Sequence, residues 1–280
     1  MIRVIAESGA TKTEWVVLDA DKIIGRYHTS GFNPFFENRE KLDAILYEEL
    51  PDDINNVDAV YYYGTGCSSD DNKSIVIEAI THRFQAAKTE VYTDIMAAAR
   101  AVSGNSKSIV GILGTGANAC LYDGHKIVAK SPSLGYILGD EGSGSYIGKM
   151  LLCSYFHNKM PQNLHYRFCQ TYSLQLHEVL SNIYGKKQPS KYLGEFAKFA
   201  AENQSHPFII DLCRKAFDEY IELFIKPLVG DEVITINMVG SVAFYFQELL
   251  RQVFYEHNMS VDVIIKEPML GLIDYYCRNC

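Results

Sequence analysis

The chain has no stretch of 18 uninterrupted apolar residues, so no segment reads as a membrane-spanning helix. It has little positive charge to spare: 26 lysines and arginines face 34 aspartates and glutamates, a net charge of −8. This balance excludes nucleic acid and anionic membranes as main partners, because nothing neutralises a run of phosphates. Any anionic ligand must be held locally, by backbone amides, one or two lysines and a metal ion. An apolar leader is missing too, since glycine arrives at position 9, and a cytoplasmic location is expected. The seven cysteines are odd in number and irregularly spaced, which suits a reducing compartment. Cys277 and Cys280 form a C-x-x-C without a second pair or nearby histidines, a poor zinc site that reads as a tail with two thiols.

Several catalytic motifs are also absent. There is no G-x-x-x-x-G-K-[ST], and Gly142-Ser143-Gly144 with Gly148 misses G-x-G-x-x-G by one residue. Neither a G-x-S-x-G elbow nor a His-Glu-x-x-His occurs, which removes serine hydrolase and zinc protease readings. The histidines are scattered, and none is assigned a catalytic role.

What is present is a repeat. Gly9-Ala10-Thr11-Lys12-Thr13 precedes an apolar strand from Trp15 to Leu18, an Asp19-Ala20-Asp21 turn and Lys22-Ile23-Ile24. About a hundred residues on, Gly114-Thr115-Gly116-Ala117-Asn118 precedes a strand from Ala119 to Tyr122, an Asp123-Gly124 turn and Lys126-Ile127-Val128. Both copies close on a glycine, Gly31 and Gly135. With 280 residues, 48% of them apolar, there is material for two lobes with cores of their own.

Periodicity predicts strands at Arg3 to Ala6, Trp15 to Leu18 and Ile23 to His28, then a helix through Leu42, Ile45, Leu46 and Leu50 that Pro51 stops. A buried strand from Val57 to Tyr63 ends at Gly64-Thr65-Gly66, a helix carries Ile75, Val76, Ile80 and Phe84, and a short strand from Val91 to Thr93 leads into Asp94. The order restarts with a strand from Ile109 to Leu113 and the second hairpin. A helix-rich region covers roughly Gly142 to Val229, strands follow at Val233 to Met238 and Val261 to Ile265, and Pro268 opens a final helix. Alternating strands and helices in both halves make this an α/β protein of two related lobes.

Four segments are candidates for chemistry. The tip from Glu7 to Thr13 turns its amides and hydroxyls out of a sheet end, which suits a phosphate; taken alone it is equally a solvated hairpin turn, but the related tip at Gly114-Thr115-Gly116 favours the phosphate. Asp94 begins a helix, as an N-cap contributing about 0.5–2 kcal/mol or as a general base. Gly139-Asp140-Glu141-Gly142-Ser143-Gly144 sets two carboxylates among three glycines before an apolar helix; the macrodipole accounts for one carboxylate, and a ligand closely approaching the main chain for the glycines. Val239-Gly240-Ser241-Val242-Ala243 opens a helix after a buried strand, a third place where backbone can meet a nucleotide.

Together these segments resemble the sugar kinase, actin and Hsp70 superfamily, and within it the N-acetylglucosamine kinase and BadF/BadG-type ATPase group. The resemblance runs from Ile5 to about Tyr275 with the motif order intact. Glu7 to Thr13 is similar to the first phosphate motif, Gly114 to Asn118 to the second, and Val239 to Ala243 to the adenosine motif. Gly135 to Ser143, with its Leu-Gly-Asp-Glu-Gly-Ser core, is similar to the kinase signature and is the most specific match; Pro268-Met269-Leu270-Gly271-Leu272 is also typical of the group.

The resemblance implies a two-lobed actin-like ATPase (ribonuclease H-like) fold, with duplicated mixed β-sheet domains flanked by helices and a nucleotide cleft between. One lobe is expected over 1–105, with a C-terminal helix 267–280 packing back onto it, and the other over 106–266 with a helical insertion. It implies ATP and Mg²⁺ as cofactors and Asp94 as the base for a sugar hydroxyl. Gly9, Thr11, Lys12, Thr13, Gly114, Thr115 and Gly116 would hold the phosphates, and Gly240 and Ser241 would lie near the adenosine. Asn33, Asn118, Gly139 and Asp140 would bind the sugar. Glu7 stands where the family usually has aspartate facing Mg²⁺, and its extra methylene shifts the metal or its water; a misplacement of about 1 Å can cost on the order of 10²-fold in rate.

The expected activity is phosphorylation of an N-acetylated amino sugar, N-acetylglucosamine to its 6-phosphate, by a homodimer acting on a small-molecule substrate. N-acetylmuramate kinase is a close variant. Two further readings are an activator ATPase of the BadF/BadG type, with Cys120, Cys153 and Cys169 as cysteines to consider for a bridged cluster, and a nucleotide- or sugar-binding regulator weakened through Glu7.

Overall fold

The computed structural model describes all residues except 10, 11, 53, 55, 56, 87, 186, 187, 231, 232, 279 and 280. The chain divides into two compact units, Met1–Gly104 with Pro268–Cys280, and Asn105–Glu267.

In the first unit, β1 (Ile2–Ser8), β2 (Lys12–Asp19) and β3 (Lys22–Ser30) form an antiparallel meander. α1 (Arg39–Glu48), β4 (Ala59–Gly64), α2 (Asp70–Phe84), β5 (Lys88–Thr93) and α3 (Asp94–Ser103) follow, and β4 and β5 extend the sheet in parallel to give the order β3-β2-β1-β4-β5. The central strands are apolar on both sides because both faces are covered. Val4, Ala6, Trp15 and Val17 share a core with residues of α1 and α2. Ile5, Val16 and Leu18 share another with Ala97 of α3 and with Met269, Leu272 and Ile273 from the end of the chain.

The second unit repeats this plan. β6 (Ser108–Leu113), β7 (Ala117–Tyr122) and β8 (Ile127–Lys130) form the meander. After α4 (Gly135–Leu138) and α5 (Gly144–Phe156) comes a helical stretch of α6 (Gln162–Tyr172), α7 (Leu176–Gly185), α8 (Pro189–Glu195), α9 (Ala197–Glu202) and α10 (Pro207–Tyr220), the last continued by a π-helical turn at Ile221–Ile225. β9 (Ile236–Val239), α11 (Ser241–Tyr245), α12 (Gln247–Glu256) and β10 (Val261–Ile265) complete the unit, and the sheet order is β10-β9-β6-β7-β8. Strand for strand this is the order of the first sheet, so the duplication visible in the hairpins extends to both parallel strands. α13 (Met269–Arg278) returns to the first unit.

Two sequence expectations are corrected. The strand predicted from Val233 begins at Ile236, because β9 pairs with β6 only over Ile109 to Ile112 and Val233 is fully exposed. Asp94 is not an N-cap. Thr93 occupies that position with no side-chain cap bond, and Asp94 is the first helical residue, its Oδ1 accepting the Ile95 amide at 2.7 Å. Among the described residues no helix is long and apolar enough to cross a membrane.

Candidate functional site

In the second unit, the tip between β6 and β7 is held from behind by α5. The first amides of that helix, Gly144 and Ser145, donate to the carbonyls of Gly114 and Thr115 at 2.8 and 3.0 Å, and the Gly114 amide closes the turn onto Gly116 O at 3.0 Å. Ser143 caps α5, its hydroxyl accepting the Tyr146 amide at 3.2 Å. All three tip carbonyls are thereby occupied, whereas among the described residues nothing accepts the amide hydrogens of Thr115 and Gly116. A turn with its acceptors used, two donors uncommitted and the positive end of a 13-residue helix behind it is suited to an anion.

Asp140 closes one side of this tip. It is buried, sits at φ 60°, and its Oδ1 accepts the Ala117 amide at 3.1 Å; a Cβ on Gly116 would lie 3.2 Å from either carboxylate oxygen. Burial is the main influence raising its pKa, opposed by the Ala117 bond and followed by the neighbouring Glu141 charge. Gly240 closes another side. At φ 123° its backbone passes so near β6 that a Cβ would overlap Leu113 O and stand 3.0 Å from the Gly114 amide nitrogen. Ser241 then starts α11 as an exposed residue. The structure thus brings together Gly114, Thr115, Gly116, Asp140 and Gly240. Asn118 lies two residues beyond Gly116 on β7; its Oδ1 accepts the Ala119 amide at 3.0 Å and its carbonyl accepts the Tyr220 hydroxyl at 2.9 Å. Gly139 ends α4, its amide on Gly135 O at 2.8 Å.

Gly142 and Gly144 are also required by packing. A Cβ on Gly142 would come within 2.8 Å of Tyr220 Cβ, and one on Gly144 within 3.3 Å of Gly114 O. Protein packing by itself accounts for the missing side chains at Gly142 and Gly144.

In the first unit, the β1–β2 turn is closed by the Gly9 amide on Lys12 O at 3.0 Å; Thr11 lies outside the described residues. Lys12 is exposed at the start of β2. Thr13 differs from the expectation of a phosphate ligand. It is buried, and its hydroxyl lies 2.8 Å from Ser8 Oγ and donates to Ser30 O at 3.3 Å. Glu7 is in register with Glu14 of β2 and Tyr63 of β4.

The turn Gly64-Thr65-Gly66-Cys67 belongs to this site, although the sequence presented it only as the end of a strand. Thr65 donates its amide to Ser8 O at 3.1 Å, and Gly66, at φ 79°, lies where a Cβ would overlap Asn33 Oδ1. Thr93 is in register with Gly64, so Asp94 follows beside the same turn; burial first and the charge of Asp94 second push the Cys67 thiol up to about 12. Asn33 is fixed by its neighbours: Oδ1 accepts the Phe35 amide at 3.0 Å and its own amide donates to Glu37 Oε2 at 3.1 Å. The tripeptide Gly-Thr-Gly occurs at both 64–66 and 114–116, the signal that could have drawn attention to the first.

Among the described residues no three His, Cys, Asp or Glu side chains group as a metal site. Mg²⁺ is typically held by one or two carboxylates together with substrate phosphates, so a single carboxylate at Glu7 near a phosphate-type tip fits that ion better than a self-contained cage would. Of the three cysteines weighed for a bridged cluster, Cys120 is fully buried with its thiol pushed up to about 12 by burial, Cys169 lies 3.3 Å from the Tyr155 hydroxyl, and Cys153 is exposed.

Two sheets of identical strand order, each flanked by helices, define the actin-like ATPase fold shared by sugar kinases, actin and Hsp70. No family model and no curated protein sequence matches the chain. Among solved structures, a candidate N-acetylglucosamine kinase from Porphyromonas gingivalis superimposes with a TM-score of 0.91 at 34% identity over 99% of both chains. A candidate N-acetylglucosamine kinase from Chromobacterium violaceum follows at TM-score 0.77 and 14% identity over 98% of both. A ROK family glucokinase from Streptomyces griseus, solved with glucose and AMPPNP, shares the fold at TM-score 0.56 and 14% identity, over 99% of this chain and 98% of that one. The chain belongs to the N-acetylglucosamine kinase and BadF/BadG-type ATPase family of the sugar kinase, actin and Hsp70 superfamily.

Proposed function

We propose that the protein is an ATP-dependent sugar kinase acting on an N-acetylated amino sugar, with N-acetylglucosamine as substrate and its 6-phosphate as product. The observation that carries the reading is the tip at Gly114-Thr115-Gly116, where every carbonyl is bonded and, among the described residues, nothing accepts the Thr115 and Gly116 amides. Such a turn selects an anion by donor geometry alone, which an acidic chain needs. The 34% identical relative, itself named as a candidate N-acetylglucosamine kinase, supports the choice of sugar.

In this reading Asp94 accepts the proton of the sugar 6-hydroxyl as that oxygen bonds to the γ-phosphorus, and the bond to the β–γ bridging oxygen breaks with its electron pair leaving on ADP. The Thr115 and Gly116 amides hold phosphate oxygens, Lys12 adds a positive charge, and Gly240 and Ser241 let the adenosine approach the main chain. Asn33, Asn118, Gly139 and Asp140 orient the sugar. Glu7 is the carboxylate that would face Mg²⁺, which when bound neutralises phosphate charge. Thr13 acts from behind, fixing Ser8 at the end of β1.

A coupled ADP-release assay with a panel of amino sugars tests the proposal. ADP release that depends on N-acetylglucosamine, with one phosphate transferred per ADP, is expected. Hydrolysis at the same rate without any sugar would instead identify an ATPase.

A further inference from the structure

We infer that Ser8 and Thr13, two hydroxyls of a segment expected to hold phosphate, serve the sugar instead. Ser8 is a positioning residue that seats the loop carrying Asn33, and Thr13 orients Ser8. This inference rests on the kinase reading above and on the part Asn33 plays in it.

Ser8 and Thr13 are the cross-strand pair that ends the β1–β2 ladder at the tip, and they are 0% and 2% exposed. The tip itself does without their side chains, because main chain closes it, the Gly9 amide on Lys12 O. What the two hydroxyls hold is the segment on either side of Gly31. The Phe32 amide donates to Ser8 Oγ at 3.3 Å, the Ser8 and Thr13 hydroxyls are 2.8 Å apart, and Thr13 donates to Ser30 O at 3.3 Å. A hydroxyl has one hydrogen and two lone pairs. With the Thr13 hydrogen on Ser30 O, the Ser8 hydrogen goes to Thr13, its nearer acceptor, since Phe32 O stands at 3.4 Å. Donation thus runs one way, from Phe32 through Ser8 and Thr13 to Ser30, and straps both flanks of Gly31 to the end of the sheet.

Asn33 follows Phe32 directly, so the strap sets one side of its seat. The other side leads back to the same residue. The Ser8 carbonyl accepts the Thr65 amide at 3.1 Å, and the next residue, Gly66, is where a Cβ would overlap Asn33 Oδ1. Asn33 therefore sits between a loop root bonded to the Ser8 side chain and a turn bonded to the Ser8 main chain. The buried Phe32 ring holds that root down against the core, and the directional bond to its amide sets how the peptide beside Asn33 is turned. Among the described residues Ser8 Oγ is the acceptor of this buried amide, so losing it leaves a donor unpaired, and the relief is a shift of the loop root that carries Asn33 with it.

The experiment compares the intact protein with Ser8→Ala, Thr13→Val and Thr13→Ser by ADP release, varying N-acetylglucosamine and ATP·Mg²⁺ in turn with the other saturating. Ser8→Ala is expected to raise KM for the sugar by about tenfold and to leave KM for ATP within about twofold. Thr13→Val keeps the shape and loses the hydroxyl; it should raise the sugar KM less, by about threefold, because the Ser8 hydrogen can turn to Phe32 O. Thr13→Ser keeps the hydroxyl and should reverse most of that rise. A merely structural role lowers the amount of active protein, which scales kcat and moves neither KM. That result overturns the inference, as does a KM for ATP that rises as much as the sugar KM, or a Thr13→Ser that matches Thr13→Val. If Ser8→Ala does not fold, the Thr13 pair decides. Sugar-independent ADP release by the unsubstituted protein would overturn the kinase reading and this inference with it, an outcome told apart from the others because it needs no variant.

Discussion

Asp140 accepts the amide of Ala117 through Oδ1 while its carboxylate stands against Gly116, so one buried acid borders the tip whose Thr115 and Gly116 amides meet no acceptor among the described residues. Burial raises its pKa above the ordinary 3.8. The folded protein therefore binds this proton more readily than the unfolded chain, and the resulting stabilisation is present below 3.8 and lost as pH rises through the folded value. Asp140→Asn, which can still accept the Ala117 amide, should have the higher Tm at about pH 7.5, with the difference closing towards about pH 3.5. Sugar-dependent turnover should fall at least about tenfold with the loss of a charged acceptor. A Tm advantage that does not vary with pH would show that the carboxyl is not the titrating group.

Gly240→Ala addresses the other wall of the tip. The new Cβ would overlap Leu113 O from a left-handed backbone position, and the atoms it meets are main chain, which cannot swing aside. A destabilisation of roughly 2–4 kcal/mol is expected in urea unfolding, together with a rise in KM for ATP because the tip must move. Wild-type stability would mean that β6 and the 240 turn can separate without cost.

The sequence was most legible where physics is local. Glycines, threonines and the restart of strand order revealed the duplicated hairpins, and the alternation of apolar strands with helical spacing gave the α/β class. Side-chain direction was less legible. Thr13 reads like any hydroxyl of the tip in a string of letters, and only strand register shows that it faces Ser8. The packing at Gly142 was illegible for a related reason, because the neighbours that crowd it, Tyr220 and Leu113, lie far away in sequence. The Gly64-Thr65-Gly66 turn was visible, but its connection with Asn33 depends on how loop and strand end meet.

Asp94→Asn tests the proposed base without altering the shape of the helix start, since asparagine can still accept the Ile95 amide. Loss of general-base assistance is expected to lower kcat by on the order of 10²–10⁴, with the Kd for ATP unchanged by titration calorimetry. Turnover near that of the wild type would remove Asp94 from the chemistry and leave it as a helix-start residue.

Glu7 raises the question of what a longer carboxylate does where the family usually has aspartate. Its neighbours in register, Glu14 and Tyr63, are fixed by the sheet, so the chain at this position is well placed and only the reach of the side chain varies. If the carboxylate acts on Mg²⁺ through a water, Glu7→Asp shortens the reach by one methylene and should raise kcat or lower the Mg²⁺ concentration needed for half-maximal rate. Glu7→Gln removes the charge and should raise that concentration by roughly tenfold, in line with the 10–100-fold cost of losing a supporting group at a metal site. The two substitutions move the metal requirement in opposite directions only if Glu7 serves the metal. A Mg²⁺ titration unaffected by Glu7→Gln would make Glu7 a structural acid of the β1–β2 pair.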